Sequence, residues 1–192
     1  VALPAGDQFA PQIEPGEIEH RAGEPGPLRV VFVGNLIPRK GLHTLLEALH
    51  VLPAESCKLT IIGNPDVDPA YTRRIRRLIA PLGLGERVHL MGVCSVEQLA
   101  AALRQSHLLA VPSTYEGYGI VYLEGMGFGL PAIATTAGAA AEIIQNGING
   151  WLIPPENPAA LAERLLQLAS DRVHLAEMSR ASRRRFEVQP TW

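Results

Sequence analysis

Six short apolar runs limit what this chain can fold into. They occupy residues 28–33, 59–62, 88–91, 108–111, 132–134 and 151–153. Several lack the in-and-out alternation of a half-exposed strand, and unbroken apolar runs of this length suit strands covered on both faces. Helical patterns lie between them. Leu42, Leu45, Leu46 and Leu49 make one apolar stripe, and Ile75, Leu78, Ile79 and Leu82 make a second. Asp68-Pro69 and Asn157-Pro158 each offer an N-cap followed by a proline in the first helical position. The helix behind Asn157 is expected to run to about Ser170. Ser95 and Gln98 form a capping box that opens another helix. Strands and helices in alternation predict an α/β fold, a doubly wound, Rossmann-like parallel sheet of about six strands with helices on both faces.

Composition adds limits. A chain of 192 residues is long enough for one full core. Its 47% hydrophobic and 19% charged content describes a soluble globular domain. A net charge of −2 gives no electrostatic argument for nucleic acid or a membrane surface. Arg73, Arg74, Arg76 and Arg77 therefore read as a solvated helix face. No segment has the ~18 apolar residues of a membrane span. The start, Val-Ala-Leu-Pro, lacks the basic stretch and apolar run of a signal peptide. The missing initiator methionine suggests a piece of something longer. Residues 11–27 are rich in proline, glycine and glutamate and read as an exposed connector. Cys57 and Cys94 fall at opposite edges of the expected sheet, too far apart for a disulfide. Free thiols fit a reducing, cytoplasmic location. The six histidines show no metal-ligand spacing.

The chemistry concentrates at residues 112–124. Glu116 and Glu124 stand eight positions apart, with a turn on Gly117 and Gly119 between them. A buried strand is expected at 107–111 and a helix at 120–128. One acid therefore lies in the turn and one on the helix. Backbone N–H groups at such a helix start attract a phosphate. A carboxylate further along can accept hydrogen bonds from a sugar diol. Val33-Gly34-Asn35 through Arg39-Lys40-Gly41 reads as a second strand-to-helix turn. A lysine there is a mobile point charge suited to a diphosphate.

These motifs together resemble the retaining glycosyltransferases of family 4, which have the GT-B fold. The block Glu116-Gly117-Tyr118-Gly119 with Glu124 is similar to the family's E-x7-E signature. Residues 33–41 are similar to its phosphate-binding loop. Gly138 to Glu142 with Asn146-Gly147-Ile148-Asn149-Gly150 is similar to its "G-x-x-E…NGxNG" segment. Leu3-Pro4-Ala5-Gly6-Asp7 is similar to its interdomain connector. The resemblance implies the C-terminal half of a GT-B enzyme that takes a sugar from a nucleoside-diphosphate sugar. Residues 1–27 would be the connector, 28–186 the donor-binding domain, and 187–192 the start of a crossover segment to an N-terminal acceptor domain.

The resemblance also implies site roles. Glu116 would act on the transferred sugar and Lys40 on the leaving diphosphate, as catalytic residues. Glu124 would hold the ribose hydroxyls. Gly117, Tyr118, Gly119 and Ile120 would contribute backbone contacts, as would Gly34. The backbone near Val93 would pair with the base. The family's usual arginine after the glycine is Asn35 here, and Arg39 is the neighbouring charge that could compensate. No cofactor and no metal are implied, since no Asp-x-Asp motif appears. The rivals are a non-catalytic nucleotide-sugar binding module and a GT-B-like epimerase or phosphorylase.

Overall fold

The computed structural model describes residues 13–188. The connector motif at 3–7 and the last residues of the expected crossover segment lie outside that range. Six strands form one sheet: β1 (Leu28–Val33), β2 (Cys57–Ile62), β3 (Val88–Gly92), β4 (Leu108–Ala110), β5 (Ala132–Thr135) and β6 (Gly150–Ile153). Their order is β3-β2-β1-β4-β5-β6, and every pair is parallel. The expected doubly wound sheet is thus observed. The central strands are buried on both faces: Val30, Val31 and Phe32 of β1 and Leu108, Leu109 and Ala110 of β4 are each at most 1% exposed. This is why their sequences do not alternate.

The helices form two layers. The chain runs outward from β1 to β3, then returns to β4 and continues to β6. Right-handed crossovers put the helices of these two runs on opposite faces. One layer holds α2 (Leu42–His50), α3 (Pro69–Ile79) and α7 (Pro158–Ser170), with α2 packed between the other two. The other holds α4 (Val96–Gln105), α5 (Ile120–Gly127), the short α6 (Ala140–Ile143) and α8 (Arg172–Glu187), together with α1 (Pro15–Gly23). Asp68, Ser95 and Asn157 cap their helices as expected, each side chain accepting an N–H from the first turn.

Two elements depart from expectation. Within the expected exposed connector of residues 11–27, Pro15–Gly23 keeps one exposed face but buries the other. This segment is helix α1, and Ile18 and Ala22 are each only 1% exposed, with α1 packed on α8. Arg21 reaches across to accepting carbonyls of Arg104, Phe128 and Gly129. The polar α8 has no counterpart in the sequence reading. Asp171 caps it, and Leu175, Met178, Ala181 and Ser182 make its buried stripe against α5.

The Asn-Gly segment serves the fold. Asn149 is buried; its Oδ1 accepts from the Gln145 N–H at 2.7 Å and its amide donates to the Ile143 carbonyl at 3.2 Å. Asn146 Oδ1 accepts from the Leu152 N–H at 2.9 Å. Both asparagines shape the entry to β6, at the amino edge of the sheet. His107 is a second buried anchor. Its Nε2 donates to the Arg21 carbonyl and its Nδ1 accepts from the Arg29 N–H. Burial and the neighbouring Arg29 and Arg172 charges hold its pKa down to about 3, so it is neutral.

Candidate functional site

The sheet order reverses between β1 and β4. The chain leaving β1 turns towards β2, and the chain leaving β4 turns towards β5. Between them, at the carboxyl ends, lies the crevice where open α/β sheets take ligands. Both sequence-predicted loops arrive there. After β1 the chain passes Gly34 and makes a 3-10 turn, Pro38–Lys40, before α2. After β4 it runs through Pro112 to Gly119 and enters α5.

Close backbone approach locks these loops together. Gly41 has φ +69, and a Cβ there would sit 2.0 Å from the Pro112 carbonyl oxygen. The Thr114 N–H donates to the Arg39 carbonyl at 2.8 Å. A third loop joins from β5. Gly138 has φ +90, and a Cβ there would sit 2.1 Å from the Glu116 carbonyl oxygen, which accepts the Ala139 N–H at 2.8 Å. Gly138, four residues before Glu142, is therefore what lets the β5 loop clamp Glu116.

The result is a contact the spacing alone does not announce. Lys40 and Glu116, 76 residues apart, form an ion pair of 2.6 Å from Nζ to Oε2. Their side chains are only 14% and 13% exposed. The Lys40 methylenes pass over Gly34, where a side chain would touch them at 3.5 Å. The same Oε2 accepts the Ser113 hydroxyl at 3.2 Å. Ser113 is fully buried, and its carbonyl accepts from the Thr135 hydroxyl. Tyr122 braces the base of the loop by donating to the Val111 carbonyl at 2.8 Å. Burial and the Glu116 charge push its phenol pKa up. Ser113, Thr135 and Tyr122 were not singled out from sequence; Ser113 sits three residues before Glu116, which was its only signal.

Glu124 differs from Glu116. It lies on α5 one turn beyond the helix start, and its carboxyl makes no hydrogen bond or ion pair with any described residue. Burial alone pushes its pKa up to about 7. An unpaired, largely buried carboxyl is costly unless a partner arrives.

The remaining candidates are spread around this pair. Gly119 has φ +68 and caps α5, which starts at Ile120; its carbonyl accepts the Tyr122 N–H at 2.9 Å, so within the first turn it is the N–H groups of Ile120 and Val121 that a ligand would meet. Gly117 and Tyr118 are exposed, Tyr118 at 83%. Arg39 donates to the carbonyl of Tyr115, the residue before Glu116, at 2.6 Å, which makes it part of the loop brace. Asn35 is exposed, and its side chain bonds to no described residue. Val93 is not brought against the ion pair. It follows β3, two strands from β1, so roughly 10 Å across the sheet. Beside it lies a hollow of about 180 Å³ lined by Leu36, Gly63, Arg76, Leu90 and Gly92 among others. A larger hollow of about 440 Å³ lies at the opposite, amino edge, among Glu17, Arg21, Glu24, Arg29 and Arg104.

Both cysteines are free, and burial pushes the Cys57 thiol up to about 12. Among the described residues, no three His, Cys, Asp or Glu side chains cluster as a metal site requires. Among them too, no helix is long and apolar enough to cross a membrane.

A crevice with a buried Lys40–Glu116 ion pair and a helix N-terminus at the switch point of a Rossmann-like sheet defines a class of ligand-binding α/β domain. The family described as glycosyl transferases group 1 matches residues 17–185, and the chain belongs to that family. It is 32% identical over 146 residues to a D-inositol 3-phosphate glycosyltransferase of Corynebacterium efficiens, covering 74% of this chain and 34% of that protein. The Anabaena protein Alr3699/HepE, solved in complex with UDP and glucose, is 26% identical with a TM-score of 0.79, covering 90% of this chain and 47% of that one. The C-terminal domain of the group 1 family protein LpcC from Francisella tularensis shares the fold at 22% identity and a TM-score of 0.80, covering 96% of both chains. The sheet and its two helical layers match the C-terminal Rossmann-like domain of GT-B glycosyltransferases. The chain spans 34% of the length of the Corynebacterium efficiens relative and 41% of that of a Streptomyces avermitilis D-inositol 3-phosphate glycosyltransferase to which it is 30% identical.

Proposed function

We propose that this chain is the donor-binding, C-terminal domain of a retaining glycosyltransferase of family 4. It binds a nucleoside-diphosphate sugar in the crevice between the β1 and β4 loops. Together with an acceptor-binding domain it transfers the sugar to a hydroxyl. One observation carries the reading: Lys40 and Glu116, from two loops 76 residues apart, meet at the switch point, on the strand end that also presents Glu124.

Each group has a task. Lys40 and the first-turn N–H groups of α5 meet the charge of the diphosphate. Glu116 accepts from hydroxyls of the sugar and supports charge developing at its anomeric carbon. Glu124 accepts from the ribose diol. The base lies towards Val93 and the adjoining hollow. In the transfer, the acceptor oxygen bonds to the anomeric carbon on the face the diphosphate leaves. The bond to the diphosphate oxygen breaks, its electrons depart with that oxygen, and the hydroxyl proton passes to the departing diphosphate. Catalysis comes from positioning and from the electrostatics of the leaving group; the reading assigns no metal. The UDP and glucose of the Anabaena relative support this ligand class.

A second reading has one observation in its favour. Asn35 is exposed and uncharged where the family pattern carries arginine. A non-catalytic nucleotide-sugar binding module would tolerate that loss. Thermal melts with UDP-, GDP- and ADP-sugars test the shared part. A ligand at 100 times its Kd stabilises a fold by ~2.7 kcal/mol. For a domain of this size that is a shift of roughly 5–10 °C. One sugar nucleotide is expected to produce it, and no shift from any would contradict donor binding. The chain alone is expected to transfer no sugar, because acceptor positioning supplies ~7–11 kcal/mol of such a barrier. Rejoining it to the acceptor domain should restore transfer, and failure there would favour the module.

A further inference from the structure

Glu116 is held by two donors on one oxygen. Lys40 Nζ lies 2.6 Å from Oε2, and Ser113 Oγ donates to the same Oε2 at 3.2 Å. Oε1 bonds to no described residue. The two donors differ in freedom. Lys40 ends a flexible four-carbon stem, whereas Ser113 has one short side-chain torsion. Ser113 is also fixed at its backbone: its N–H donates to the Val111 carbonyl at 2.8 Å, and its own carbonyl accepts the Thr135 hydroxyl. It is fully buried, and its side chain is also hydrogen-bonded to that of Tyr122, which holds the hydroxyl at the base of the loop.

A diphosphate entering the crevice competes for Lys40. The lysine would then leave Oε2 or share itself, and Glu116 would lose its charged partner while only 13% exposed. We propose that Ser113 is a positioning residue that keeps the Glu116 carboxylate in place during this exchange, so that the free Oε1 stays aimed at a hydroxyl of the sugar. The inference rests on the donor-binding reading. It assigns Ser113 an effect on the sugar part of the ligand and none on the nucleotide part, because Ser113 acts on the ligand through Glu116.

Calorimetric titration of the chain with UDP-, GDP- and ADP-glucose, each beside its bare diphosphate, supplies the test. The parent chain is compared with Ser113→Ala, Glu116→Gln and the double variant. In Ser113→Ala, affinity for the bare diphosphate stays within about twofold, while the ratio of sugar-nucleotide to diphosphate affinity falls roughly tenfold, as expected for one hydrogen bond to a charged group. In the Glu116→Gln background, Ser113→Ala changes that ratio no further. If Ser113→Ala weakens both ligands alike, or if its effect adds in full to that of Glu116→Gln, the serine is merely structural and the inference is overturned while donor binding stands. If the parent binds none of the six ligands, the donor reading falls and the inference with it.

Discussion

Replacing Glu124 with glutamine separates the cost of burying a carboxyl from the benefit of using it. Glu124 lies in α5 without a partner, and burial pushes its pKa from 4.5 to about 7. A carboxyl whose pKa rises on folding favours the folded state fully below its unfolded value. That advantage is lost as the pH climbs through the folded value, here between 4.5 and about 7. Linkage puts the loss at ~2–3 kcal/mol between pH 5 and pH 8. Glutamine has the same shape and does not titrate. The Glu124→Gln variant should therefore gain on the parent between pH 5 and pH 8 by roughly 5–10 °C in Tm. His107, held neutral at a pKa of about 3, destabilises both proteins alike as the pH falls below 6.5 and cancels in the difference. Nucleotide binding should move the other way. If the ionised carboxylate accepts from the ribose, parent affinity rises about tenfold from pH 6 to pH 8, and the variant's stays flat and weaker. A Tm difference that is the same at both pH values would refute the burial argument. Affinity that ignores pH in the parent would refute the ribose assignment.

Two further perturbations address the loops. Lys40→Ala should weaken binding of a nucleoside diphosphate about 10–100-fold while sparing the bare nucleoside, since the loss is of a charge on phosphate; equal weakening in titration, or a larger effect of Arg39→Ala, would contradict the choice of Lys40. Gly138→Ala places a Cβ 2.1 Å from the Glu116 carbonyl oxygen at a φ of +90, so it should cost ~2 kcal/mol or more in chemical denaturation and weaken sugar-nucleotide binding at the same time; an unchanged midpoint would mean that the clamp on Glu116 is loose.

The strands were easy to read because the central ones are buried on both faces and carry little but apolar residues. Residues 28–33 coincide with β1, and 132–134 falls one residue short of β5. Where local chemistry marks an end, as at Asp68, Ser95 and Asn157, the helix starts were legible too. The helices α1 and α8 were not. Pro15, Gly16 and the nearby glutamates mask a short buried stripe in α1 that is itself part polar, Ile18, Arg21 and Ala22, and α8 buries Ser179 and Ser182 beside Leu175 and Met178. Polar residues packed against another helix give no apolar periodicity to read. The site shows the same division. Glu116, Glu124 and Lys40 stand in recognisable local patterns, but their relations are tertiary. That Lys40 meets Glu116, that Arg39 turns to the Tyr115 carbonyl, and that Gly138 clamps Glu116 depend on which strands are neighbours. Ser113 escaped notice because a buried serine looks the same in sequence whether it props a loop or holds a carboxylate.

The most direct measurement is a crystal structure of this chain soaked with the sugar nucleotide that gives the largest melting shift. The account predicts the diphosphate in the crevice between the β1 and β4 loops, with Lys40 Nζ at hydrogen-bond distance from a phosphate oxygen. Glu116 should remain on the Ser113 hydroxyl, with its Oε1 on a sugar hydroxyl and Glu124 on the ribose. A ligand seated in the hollow at the amino edge of the sheet, or a bound diphosphate with the Lys40–Glu116 pair still closed at its free length of 2.6 Å and no phosphate contact, would contradict it.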